Sequence, residues 1–88
     1  MPTEEQSRAR EAFLEIVQNQ IEQNDPLEAR ITYKRLKNMG YSSSDAKKFI
    51  GSCIAVEFYN IVKYKQEFNL ERYIKNLKNL PKEPFDDE

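Results

Sequence analysis

Apolar positions along this chain fall into four stretches with helical spacing, separated by short strings of capping and turn residues. In the first stretch, Ala9, Phe13, Ile16, Val17 and Ile21 recur on one face, with Glu11, Glu15, Gln18 and Glu22 opposite. Thr3 followed by Glu4, Glu5 and Gln6 is a capping box whose acids suit the positive end of a helix dipole. The pattern predicts a helix over about 4–23.

Asn24-Asp25-Pro26-Leu27-Glu28 is the sharpest local signal. Asp25 is expected to cap a second helix, with Pro26 at the first helical position, where no amide hydrogen is needed. That helix is predicted over about 26–39 and should bury Ala29, Tyr33, Leu36 and Met39. Gly40 supplies the left-handed residue that stops it, and Tyr41 should fold back onto Leu36.

Ser42 is expected to cap the third helix, with Asp45 as the reciprocal partner. This helix, over about 43–65, is apolar on most sides: Phe49, Ile50, Cys53, Ile54, Val56, Phe58, Ile61 and Val62. Such a helix should be central, with its neighbours covering it. Gly51 inside it costs about 1 kcal/mol against Ala, which points to close approach of another helix. Asn69 should cap a fourth helix over about 70–79, with Phe68 and Tyr73 as a hydrophobic staple. Leu70, Tyr73, Ile74, Leu77 and Leu80 form its stripe, and Pro81 lies past its end. The expected fold is all-α: residues 1–80 in one domain, a four-helix bundle-like array around the central third helix. Residues 81–88 lack periodicity and read as a short, disordered acidic tail.

Several of these positions together resemble a known group. Asn24-Asp25-Pro26, Glu28, Arg35-Leu36, Gly40-Tyr41-Ser42, Ala46, Ile50, Ala55, Glu57 and Glu71-Arg72-Tyr73 are similar to an uncharacterised family of small bacterial all-helical proteins. The resemblance spans about two-thirds of the chain, from Asn24 to Pro81. It implies an all-helical fold and a bacterial cytosolic origin, and brings no activity with it.

Composition narrows the function classes. The 88 residues include no His, which removes the commonest general base and the commonest metal ligand together. The lone Cys53 rules out an internal disulfide, fits a reducing compartment and, with no His to activate it, reads as a small buried hydrophobe. No apolar run approaches the roughly 20 residues of a membrane span, so a cytoplasmic location without membrane contact is expected. The residues suggest no enzyme, cofactor or metal.

Glu57 is the most informative polar position. It falls among Ile50, Cys53, Ile54, Ile61 and Tyr64 on the most apolar side of the third helix, and Asn60 lies one turn on. A carboxylate there needs a partner, since an isolated buried charge is too costly. Arg30, Arg35, Tyr33 and Tyr64 are the candidates. Glu57 and Asn60 together make a candidate buried polar site.

Charge divides the chain into zones. Residues 1–25 carry two bases and six acids, residues 26–65 eight bases and three acids, and residues 66–88 four bases and six acids. Arg30, Lys34, Arg35, Lys37, Lys47 and Lys48 surround the turn between helices two and three and make a candidate basic patch. Leu27 and Ile31 are neighbours one turn apart, on the side of helix two away from its core face, and make a candidate partner surface. The favoured reading is a non-catalytic protein-interaction or structural module, with a homodimer as one form. The alternative is a small nucleic-acid binder using the basic turn. A slightly acidic chain and a greasy third helix weigh against that alternative.

Overall fold

The computed structural model describes residues 4–82. Thr3, the segment 83–88 and the side chain of Ala9 lie outside the described residues, and with them the first capping box and most of the expected tail. The described residues form four α-helices and no strand: α1 Glu4–Gln23, α2 Leu27–Asn38, α3 Ser43–Tyr64 and α4 Leu70–Asn79. The fold is the expected all-helical, bundle-like array. α3 packs against each of the other three helices, while α2 touches all but itself and bridges α1 to α4.

Each junction follows from local chemistry. After α1, Asn24 takes a left-handed φ of 54°, and the Asp25 amide closes onto the Gln20 carbonyl. The Asn-Asp-Pro string therefore acts first as a stop. The expected Asp25 cap does not form; the N-cap of α2 is Pro26, with no side-chain bond. The reason is geometric, because an Asx cap must directly precede the helix and here Pro26 holds that place in an extended conformation. Glu28 in the first turn is left to complement the dipole.

The end of α2 is a Schellman motif. Gly40 has φ 103°, its amide bonds the Lys37 carbonyl, and the Tyr41 amide bonds the Leu36 carbonyl. Ser42 Oγ accepts from the Asp45 amide at 3.0 Å to start α3, and Asn69 Oδ1 accepts from the Arg72 amide at 3.0 Å to start α4. Phe68 and Tyr73 meet edge to face with ring centroids 5.4 Å apart, completing the expected staple.

The core gathers Val17, Ala29, Leu36, Ala46, Ile50, Cys53, Ile54, Tyr73, Leu77 and Leu80. Phe13, Ile16, Ile21, Tyr33, Tyr41 and Phe49 pack around it. Gly51 faces α1, where an added Cβ would lie 3.8 Å from Phe13 Cβ and 3.9 Å from Val17 Cγ2. The approach is close, as the sequence suggested, yet ordinary contact distance leaves room for a methyl group. Tyr73 reaches across the core to hydrogen-bond Gln20 Oε1 with its hydroxyl.

Three expectations about burial need correction. Met39 is exposed, because the helix ends under it and the turn carries it out past Leu36. Leu70 is exposed, since it opens α4 on the side away from α3, and the buried stripe runs through Arg72, Tyr73, Asn76 and Leu77 instead. The last two turns of α3 are covered only in part: Asn60 is buried, but Phe58, Tyr59, Val62 and Tyr64 are all exposed. α3 is a central helix along its first four turns and a two-sided one beyond them.

Candidate functional site

Two features of α3 set the chemistry of the molecule, one on each side of the helix. On the inner side Glu57 is wholly buried, as expected. Its partner is Arg72, in the first turn of α4. Arg72 Nε donates to Glu57 Oε2 at 2.6 Å, and Arg72 Nη2 donates to Oε1 at 3.0 Å. The same Oε1 accepts from the Asn69 amide at 2.8 Å. One carboxylate therefore satisfies a two-pronged guanidinium and an orphan amide at the start of α4.

None of the partners expected from the sequence (Arg30, Arg35, Tyr33 and Tyr64) makes this contact. Arg30 donates to Asn24 Oδ1 at 2.9 Å. Tyr33 shares a 2.7 Å hydrogen bond with Ser43 Oγ. Asn60 is buried one turn beyond Glu57, and its Nδ2 donates to the Val56 carbonyl at 2.9 Å. Thr32 and Asn76 complete the buried polar set. Arg72 had a signal in the sequence: Asn69, Arg72 and Asn76 recur at helical spacing beside the apolar stripe of α4, a polar strip facing inward.

Arg35 is also committed to the fold. Its Nη1 donates to the Leu80 carbonyl at 2.7 Å, and its Nη2 to the Leu77 carbonyl at 2.9 Å. A guanidinium at the end of α4 satisfies carbonyls that lack helical partners and neutralises the negative end of the dipole. Lys47 leans on the Tyr33 ring, 5.9 Å from its centroid. Lys34 and Arg30 border a groove with Ile21, Glu22 and Tyr33, whereas Lys48 borders two others on the far side of α3. Lys34, Lys37 and Lys48 are exposed. Of the six basic residues read as one patch, Arg30, Lys34 and Lys47 thus gather around Tyr33, Lys48 lies at other grooves, and Arg35 is tied to α4.

The inner side offers little reactivity. Burial pushes the Cys53 thiol from an ordinary 9.0 up to about 12, a hydrogen bond with Ser52 offsets this in part, and the Glu57 charge adds to it. A protonated, enclosed thiol is a poor nucleophile. Among the described residues no group of three or more His, Cys, Asp and Glu side chains is placed to hold a metal ion.

The outer side of α3 is different. Ala55, Phe58, Tyr59 and Val62 follow the i, i+3, i+4, i+7 spacing of a single helical face, turned away from Glu57. Val62 is 78% exposed and Tyr59 47%. Phe58 stacks on Phe13 of α1 with centroids 5.3 Å apart. Toward the start of α3 this face runs into a groove of about 560 Å³ between α1 and α3, lined by Arg10, Phe13, Leu14, Lys48, Gly51, Ser52 and Ala55. Lys63 Nζ donates to the Tyr59 hydroxyl at 2.6 Å and lies over the Tyr59 and Tyr64 rings, 5.1 Å and 5.5 Å from their centroids. The hydrogen bond to Tyr59 raises the Lys63 pKa.

Leu27 and Ile31 stand where the sequence put them. They are 53% and 54% exposed, on the side of α2 opposite buried Ala29, Thr32 and Leu36. In the sequence Phe58 and Val62 are not distinguishable from the covered residues of α3, because their spacing is as regular as that of the buried side, and Tyr59 carries no signal of its own. No helix among the described residues is long and apolar enough to cross a membrane. Comparison with protein-family models, curated proteins and solved structures finds no match.

Proposed function

We propose that the chain is a non-catalytic interaction module, docking a protein partner or a second copy of itself through apolar residues that its own fold leaves uncovered. One observation carries this reading. α2 and α3 each have a core side that is sealed and a second apolar side that is not, at Leu27 and Ile31 on one helix and at Tyr59 and Val62 on the other. A domain this small gains stability by burying such side chains, so regular apolar faces held in water mark surfaces that another molecule covers. The absence of His from the sequence and the enclosed, protonated Cys53 support a role without catalysis. We place the protein in a bacterial cytoplasm on the family resemblance and on the lone thiol.

The nucleic-acid alternative draws on six bases around one turn. Arg35 is held by α4 carbonyls and Lys47 by the Tyr33 ring, which favours the protein-interaction reading.

A photo-crosslinking amino acid placed at Ile31, at Val62 and, as a control, at exposed Lys75 tests the proposal in the cells that make the protein. Discrete protein adducts at Ile31 or Val62, absent at Lys75, are expected; an adduct of twice the chain mass identifies a second copy. No adducts above the control at either position would overturn it, and adducts to nucleic acid would favour the alternative.

A further inference from the structure

Resting on that interaction-module reading, we propose that the outer face of α3 and its groove against α1 receive an acidic amphipathic helix of a partner protein. The geometry fits a helix. α1 and α3 run antiparallel, with Phe13 against Phe58 at one end and Leu14 and Gln18 beside Ser43 and Lys47 at the other. Between them Gly51 and Ala55 line a channel, and Tyr59 and Val62 continue the helical face of Ala55 beyond it. From Lys48 to Val62 the apolar track extends about 21 Å at the α-helical rise, the length of a helix of about fourteen residues. A helix laying leucine-like side chains at i, i+3, i+4 and i+7 into such a channel is a recurring recognition mode.

Charge selects the occupant. Among the described residues, Arg10 and Lys48 line the groove and Lys63 lies beside Tyr59, and no described carboxylate lines the groove. Glu15 borders a separate groove with Gln18, Ser43 and Lys47. Two copies meeting face to face about a twofold axis would bring Arg10, Lys48 and Lys63 of one against the same set of the other. Like charges so opposed are unfavourable, whereas a helix with Glu or Asp along its flanks meets each base with an opposite charge. The Tyr59 ring, bonded to Lys63, supplies an aromatic anchor toward the Val62 end of the track, the residue type that dominates such interfaces.

The test uses the full chain and three fluorescent synthetic peptides of about fourteen residues: leucines at i, i+3, i+4 and i+7 with Glu elsewhere, the same leucines with Lys elsewhere, and the Glu peptide with its leucines scrambled. Fluorescence anisotropy is expected to show saturable binding of the acidic amphipathic peptide alone. Val62→Asp, which adds like charge to an exposed position, should weaken it at least about tenfold. Arg10→Glu with Lys48→Glu should weaken it similarly and admit the Lys peptide, while Leu27→Asp on α2 should change nothing. Preference for the Lys peptide, equal binding of the scrambled one, or indifference to Val62→Asp would overturn the proposal. So would a concentration-dependent dimer in light scattering that Val62→Asp abolishes, since the face would then belong to a second copy. Failure here together with protein adducts at Ile31 or Val62 would leave the interaction-module reading standing and remove only the acidic helix.

Discussion

Glu57 and Arg72 lie fifteen residues apart in sequence and meet inside the protein as a two-pronged ion pair, with 2.6 Å and 3.0 Å contacts. The pair ties α3 to the first turn of α4, and the Asn69 amide bonded to the same carboxylate fixes where that helix begins.

Removing one member leaves the other charged and enclosed. Glu57→Gln and Arg72→Met are each expected to cost about 3–5 kcal/mol in urea denaturation, a large share of the total stability of a domain this size. Replacing both with leucine removes both desolvation penalties and should restore most of the loss. Single substitutions costing under about 1 kcal/mol would show that the pair is not enclosed.

Gly51→Ala should stabilise the protein. The new methyl would sit 3.8 Å and 3.9 Å from its nearest neighbours on α1, ordinary contact, while the helix loses its most flexible residue. A gain of about 0.5–1 kcal/mol in the same assay is expected. A loss would mean that α1 and α3 approach more tightly than these distances.

Arg35→Met should cost about 1.5–3 kcal/mol, because the Leu77 and Leu80 carbonyls lose charged donors. Hydrogen exchange should show faster opening at the end of α4 than at its start. Arg35→Lys should recover only part of the loss, since an ammonium cannot span both carbonyls with the same planar fork.

Stability should fall in alkali. Burial raises the Cys53 thiol from 9.0 to about 12 and also pushes the Tyr73 phenol upward, with the neighbouring Cys53 adding to it and the Gln20 hydrogen bond opposing it. Above pH 9 the unfolded chain releases the thiol proton while the folded chain keeps it, so the contribution is complete below that pH and is lost as pH climbs toward 12. The thiol alone contributes a slope of up to about 1.4 kcal/mol per pH unit. Urea midpoints at pH 8 and pH 10.5 should differ, and Cys53→Ala should reduce the difference. The native thiol should also resist alkylation at pH 8.

The stop of α2 and the caps of α3 and α4 were legible because they are set by residues within five positions of one another: Gly40 with Leu36, Ser42 with Asp45, Asn69 with Arg72; the cap expected at Asp25 was not, since Pro26 takes that place. The enclosure of Glu57 was legible too, from its angular position among apolar neighbours. Its partner was not, because the rotation of α4 about its own axis decides whether Arg72 or Leu70 faces α3, and that rotation is a tertiary property. Arg35 was misread for a related reason: a base near a turn looks alike whether it faces water or the end of a distant helix. The outer face of α3 shows the opposite limit. Periodicity finds every apolar side of a helix but cannot say which one has a neighbour.

Whether α3 is two-sided is decided most directly by urea denaturation of Val62→Asp. With the side chain 78% exposed, the substitution should leave stability within about 0.5 kcal/mol of the parent, as surface changes do. A loss of several kcal/mol would place Val62 in the core, contradicting an outer face kept for a partner.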